Sequence, residues 1–144
     1  TWEDTRRYCR FVYKRLPTEM EWERAVRGTK GRKFAWVGAG ETTGLAITRE
    51  LGAQGSVSVL GRNKDVTPEG LAHMAGNVRE FVADVYRPYD GATNTKNYPL
   101  GERVIRGSSW AFSMYEAAGF HRGHSKSNYA WPDVGFRCAK DIPS

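Results

Sequence analysis

Helical periodicity is almost confined to the part of the chain before Gly28, and this limits the fold more than any other feature. Residues 2–13 place apolar and aromatic side chains on one face and arginines on the other, which predicts an amphipathic helix. A second helix is predicted to begin at the capping box of Thr18 and Glu21, where each side chain accepts a hydrogen bond from the other residue's backbone amide. This helix should end at Gly28.

After the second helix, glycine is frequent and the predicted elements are short. Residues 44–51 look helical. A turn and strand are predicted in residues 70–84, and further strands in residues 104–110 and 134–140. Residues 88–101 read as a polar loop.

The length of 144 residues is typical of one domain, and we expect residues 1–144 to form one. The net charge of +6 suggests nucleic acid, but acidic residues lie beside the basic stripe of residues 6–14, and no nucleic-acid-binding motif is present, so nucleic acid is not expected as a partner. No apolar run approaches the roughly 18 residues that cross a bilayer, so no membrane insertion is expected. The start at Thr1, without an initiator Met, is compatible with removal of an upstream segment.

Four phrases occur in one order along the chain. They are Trp2-Glu3-Asp4 with Tyr8-Cys9; Arg15-Leu16-Pro17-Thr18-Glu19 with Glu21-Trp22-Glu23; Gly70-Leu71 with Met74-Ala75-Gly76-Asn77-Val78 and Glu80; and residues 103–110 with Gly135-Phe136-Arg137-Cys138. Together they resemble the formylglycine-generating enzyme (sulfatase-modifying factor) family over nearly the whole chain. The resemblance implies an α+β, C-type-lectin-like fold, with two helices around a small, twisted, mostly antiparallel sheet and much irregular loop. The family usually has a strand-bearing segment before the first helix, so this chain is either a shortened version or has lost that segment upstream.

The two cysteines, Cys9 and Cys138, lie at opposite ends of the chain, and the residues alone do not say whether they are bridged. Some family members join the matching cysteines, so the resemblance implies that the two thiols lie close together. A disulfide and two buried free thiols both stay open. The family's oxidase chemistry needs a cysteine pair a few residues after Trp110, and residues 111–117 contain no thiol. We therefore expect a chain that is not an enzyme.

In the family, the Gly-Asn-x-x-Glu phrase can supply calcium ligands, and Asn77 and Glu80 match it here. Their hard oxygen atoms suit calcium. The favoured alternative is a structural turn, in which Asn77 caps backbone amides and Glu80 pairs with an arginine such as Arg137. No other cofactor is expected.

Two further candidate sites are weaker. Of the three histidines, His73, His121 and His124, the last two are three residues apart, but they lack a nearby carboxylate partner for metal binding, and surface positions are expected for them instead. Residues from Gly38 to Gly44, followed by a helix-like stretch, are similar to the nucleotide loop of short-chain dehydrogenases. However, the chain has no Tyr-x-x-x-Lys pair and too little sequence to wind a parallel sheet, so dinucleotide binding is the weaker alternative.

Residues 111–133 interleave aromatic with small polar residues and contain no Leu, Ile or Thr. Such a composition is typical of recognition surfaces, although an aromatic loop packed on the sheet is the alternative. The segment resembles the variable region of retroelement-diversified proteins, which share the C-type-lectin fold and support changing positions on a fixed frame. The ligand-binding residues that we predict are Ala111, Phe112, Ser113, Tyr115, Glu116, Gly119, His121, His124, Lys126, Asn128, Tyr129, Trp131 and Asp133.

These observations predict a ligand-binding protein whose hypervariable surface is residues 111–133. The expected partner is a protein or glycan ligand on another cell or virus, with this chain displayed on a virion or cell surface. The alternatives are a non-oxidase enzyme of the same family and a purely structural domain.

Overall fold

The computed structural model describes residues 1–38, 44–61, 64–93 and 98–142. Helix α1 spans Trp2–Phe11 and helix α2 spans Glu19–Arg27. The predicted capping box is present, since Thr18 accepts from the amide of Glu21 and the Glu21 carboxylate accepts from the amide of Thr18. Helix α2 ends at Gly28, whose φ of 59° favours glycine. None of the described helices is long and apolar enough to cross a membrane.

Four strands form one sheet in the order β3-β2-β1-β4. They are β1 (Arg79–Val85), β2 (Arg103–Arg106), β3 (Arg122–Ser125) and β4 (Val134–Phe136). Strand β2 pairs antiparallel with both β1 and β3, whereas β4 pairs parallel with β1. The sheet is therefore mixed and mostly antiparallel, as predicted.

The two helices pack on opposite faces of this sheet. Phe81 and Ile105 lie in one buried cluster with residues of α1, while Val82 and Val104 lie in another with residues of α2. Because successive strand residues point to opposite faces, neighbours on β1 and β2 contribute to different clusters. The sheet thus separates two apolar layers, and its two faces can carry different sites.

Three predicted elements differ from the structure. Residues 44–51 contain only a short 3-10 turn at Arg49–Leu51, because Thr48 before it is extended. Strand β2 stops at Arg106 because Gly107 has a φ of 77°, which lies outside the β region. Strand β4 is likewise shorter than residues 134–140. Strand β3 was not predicted, since its residues Arg-Gly-His-Ser include no large apolar side chain.

Candidate functional site

A groove of about 420 Å³ opens on the α1 face of the sheet. Its floor comes from three neighbouring strands, with Arg79 on β1, Ile105 on β2 and Ser125 on β3. The remaining lining residues are Glu102, Phe112, His124, Lys126, Tyr129, Trp131 and Asp133. The rim is therefore built mainly from the segment that the sequence singled out.

The rim is aromatic. The rings of Tyr129 and Trp131 meet edge to face with centroids 5.6 Å apart, and they are 43% and 48% exposed. The Trp131 indole nitrogen donates to the Ser125 hydroxyl at 3.2 Å, which fixes the ring against β3. The guanidinium of Arg79 lies 3.9 Å from the centroid of Phe112. Aromatic rings held by such contacts can offer apolar area without losing much side-chain entropy on binding.

Charged groups stand beside these rings. The Lys126 ammonium lies 5.2 Å from the centroid of Tyr129. The Nδ1 atom of His124 lies 2.5 Å from a carboxylate oxygen of Glu102. The groove can therefore combine stacking on aromatic rings with hydrogen bonds that cationic groups donate and a carboxylate accepts.

Asp133 was predicted to contact ligand, and the structure corrects this. It is 5% exposed, and its Oδ2 accepts from the Arg79 guanidinium and the Ser109 hydroxyl, each at 3.0 Å. Its carbonyl also accepts from the Arg79 amide. Asp133 thus lies beneath the groove and fixes the position of Arg79 in its floor.

Gly119 is a second correction, because it is buried against α2. A Cβ at this position would lie 2.7 Å from Val26 Cγ1 and 2.8 Å from Arg27 Cγ. No side chain fits without moving the helix, so Gly119 cannot vary as a contact residue.

The other predicted residues lie outside the groove. Tyr115 is 76% exposed on the 3-10 helix Met114–Ala117, and its ring meets that of His121 edge to face. Burial lowers the pKa of His121 below its ordinary value. Ala111, Ser113 and Glu116 are half-buried and Asn128 is exposed. The predicted surface therefore divides into the groove and a separate patch around Tyr115.

A buried ionic network, which was not predicted from the sequence, lies on the α2 face of the sheet. Arg106 is fully buried and donates to Glu19 at 2.6 Å, to Glu23 at 2.8 Å and to the Gly119 carbonyl. Arg122 adds two hydrogen bonds to Glu19. Burial opposes ionisation of Glu23, but hydrogen bonds from Arg27 and Arg106 hold its pKa below the ordinary value. The sequence signal that could have revealed this network is Arg106, a charged residue at a strand position that faces the core.

The paired cysteines and the Asn77-Glu80 phrase have structural roles. Cys9 and Cys138 form a disulfide, which uses both thiols of the chain. Glu80 accepts from Arg137 through both oxygens and from the Trp22 indole. The Asn77 side chain accepts from the Val57 amide at 2.8 Å. With a guanidinium on Glu80, these residues do not fit a calcium site, and the arrangement is the alternative turn.

The glycine loop and the histidines were the weaker candidate sites. Of the glycine loop, residues 39–43 lie outside the described residues, and the stretch after Gly44 forms no α-helix that could bind a pyrophosphate. His124 is exposed, as predicted, although it lies beside Glu102, whereas His121 is half-buried and His73 is 5% exposed. Within the described ranges, no group of three or more His, Cys, Asp or Glu side chains could hold a metal ion.

Known proteins resemble this chain over almost its whole length. It is 31% identical to a serine/threonine-protein kinase, Pkn1 of Chlamydia trachomatis, over 99% of this chain and 24% of the kinase. It is 33% identical to the formylglycine-generating enzyme of Streptomyces coelicolor over 98% of this chain and 51% of that enzyme. The inactive formylglycine-generating enzyme 2 of Bos taurus is 30% identical, over 96% and 48%. The chain thus spans between a quarter and a half of these relatives.

Solved structures of other proteins also match this chain. Variable protein 1 of Treponema denticola matches with a TM-score of 0.66 at 30% identity, over 85% of this chain and 45% of that protein. PvdO of Pseudomonas aeruginosa matches with a TM-score of 0.77 at 22% identity, over 98% and 60%, which shows a shared fold. The predicted α+β, C-type-lectin-like fold is confirmed.

The prediction that the chain is not an enzyme is wrong, because its named relatives include formylglycine-generating enzymes from bacteria and mammals. That prediction rested on one missing cysteine pair, whereas the likeness extends over nearly all of the chain. Membership of an enzyme family follows from similarity along nearly the whole chain, and the absence of two thiols does not remove it.

The family model for the sulfatase-modifying factor enzyme 1-like domain matches residues 1–142. This match includes both helices, all four strands and the groove. The chain belongs to the formylglycine-generating enzyme (sulfatase-modifying factor) family.

Proposed function

We propose that this chain is a ligand-binding member of its family and uses the groove rimmed by Phe112, Tyr129 and Trp131 as its recognition surface. One observation carries the proposal: exposed aromatic and charged side chains stand on a floor that buried Asp133 and Arg79 hold rigid. Such a division lets the contact residues change while the fold persists. The likeness to a protein named variable protein 1 supports a diversified surface in residues 111–133. The partner would be a protein or glycan on another cell or virus.

The test compares codons 111–133 with the rest of the gene in several close isolates. We expect changes at the exposed positions of the segment, at Tyr115, Lys126, Tyr129 and Trp131 in particular, and at adenines of a nearby template repeat. Buried positions of the same segment are the control and should stay constant: Met114, Ala117, Gly119, Ser125 and Asp133. A segment as constant as its surroundings would contradict diversification and leave a fixed ligand.

A second candidate is a non-oxidase enzymatic activity of the same family, since residues 111–117 lack the cysteine pair that the oxidase chemistry needs. The 33% identity to a formylglycine-generating enzyme favours catalysis. Incubating the chain with sulfatase-derived peptides and searching by mass spectrometry for any covalent change would test it, with formylglycine itself not expected. Turnover would establish catalysis as the function in place of binding alone.

A further inference from the structure

The C-terminal end of α1 carries two exposed aromatic side chains between two cations. Phe11 is 80% exposed and Tyr13 is 90% exposed. Arg10 and Lys14 flank them, and neither forms an ion pair with another described residue. Side chains this exposed project into solvent from a convex surface and do not line a pocket. We call these four residues the basic-aromatic tip.

Tyr13 also ends α1. Its φ of 57° lies in the left-handed region, and in this conformation the amides of Tyr13 and Lys14 donate to the carbonyls of Arg10 and Cys9. Helix termination therefore explains the conformation, and the same turn holds the Tyr13 ring in solvent near Phe11.

Arg10 and Lys14 are not paired with the acidic groups of α1 or with Glu21 and Asp141, which bind other cations. Glu21 and Asp141 both bind the guanidinium of Arg15. At the other end of α1, Glu3 binds Arg6 and Arg7. The charges of Arg10 and Lys14 therefore stay unneutralised beside the two rings.

We propose that the basic-aromatic tip binds the surface of anionic lipid bilayers. Tyrosine and phenylalanine rings settle at the level of the headgroups, and cations beside them are attracted to acidic lipids. This contact is peripheral and needs no spanning segment. An acidic protein fits the tip less well, because a stable interface buries about 800 Å² on each partner, more than four projecting side chains supply.

The position of the tip sets its distance from the groove. The groove lies beside the other end of α1, where the Trp2 amide donates to the Ser127 carbonyl at 3.0 Å. Helix α1 is about 15 Å long. A membrane-bound tip would therefore place the groove up to about one helix length from the bound end of α1.

Cosedimentation with vesicles tests the proposal. The intact chain should bind phosphatidylcholine vesicles that contain about one third phosphatidylglycerol, bind far less to pure phosphatidylcholine, and dissociate at high salt. The variant Arg10→Ser/Lys14→Ser should bind about fivefold more weakly for each cation removed. The variant Phe11→Ser/Tyr13→Gly should also lose binding, and it should fold normally because glycine accepts the left-handed conformation at position 13.

Two matched variants serve as controls. Arg24→Ser/Lys30→Ser removes two other exposed cations, and Leu100→Ser removes a side chain that is 99% exposed elsewhere. Both should bind vesicles almost as the unmodified chain does. The proposal is overturned if the chain ignores phosphatidylglycerol, if the tip variants bind as tightly as the controls, or if polyglutamate binds the tip while vesicles do not.

Discussion

Asp65 is fully buried, and its Oδ2 accepts from the amides of Ala75 and Gly76 at 2.8 and 2.9 Å. Its Oδ1 is buried with no hydrogen-bond partner among the described residues. Burial raises the pKa of Asp65 from 3.8 to about 6, despite the two amides. The folded state therefore holds a proton that the unfolded chain releases at lower pH.

This difference in pKa predicts a pH dependence of stability. The contribution of Asp65 is fully present below about pH 4 and is lost as pH rises through about 6, a change on the order of 3 kcal/mol. In Asp65→Asn the group does not titrate, so the variant should gain stability relative to the unmodified chain between pH 4 and pH 8. Urea unfolding at several pH values measures this, and a difference between the two proteins that is constant with pH would contradict it.

At the scale of elements, α2 packs so closely against the segment after the 3-10 helix Met114–Ala117 that no side chain fits at Gly119. We expect Gly119→Ala to lower the free energy of unfolding by roughly 1–3 kcal/mol through overpacking against Val26. Gly55→Ala is the matched control, since Gly55 has an ordinary φ and no atom within 4 Å of an added Cβ. Thermal melting should separate the two variants, and equal melting temperatures would show that α2 shifts freely.

The elements that were predictable from the sequence are those specified by nearby residues. Helix α2 was predictable because its capping box is local, with both partners within four residues. Strand β3 was not, since its pairing with β2 supplies what its side chains do not. The aromatic rim of the groove followed from composition, whereas the burial of Gly119 and Asp133 depends on α2 and on Arg79, which are distant in sequence.

At the scale of the whole molecule, the Cys9–Cys138 disulfide closes the chain across 129 residues. Loop-closure entropy predicts that Cys9→Ser/Cys138→Ser is less stable by roughly 2–5 kcal/mol. Urea unfolding of the variant, and of the unmodified chain with reductant, should give the same lowered midpoint. Unfolding that is insensitive to reductant would mean that the packing of α1 and β4 alone holds the two ends.

The closure also has a mechanical consequence. Since the disulfide joins α1 to the segment after β4, it is a covalent bypass around everything between Cys9 and Cys138. A pulling force transmitted from residues before Cys9 to residues after Cys138 passes through this bond and does not load the sheet. Under tension the oxidised fold should therefore extend by only a few residues at each end, whereas the reduced fold is loaded across all four strands.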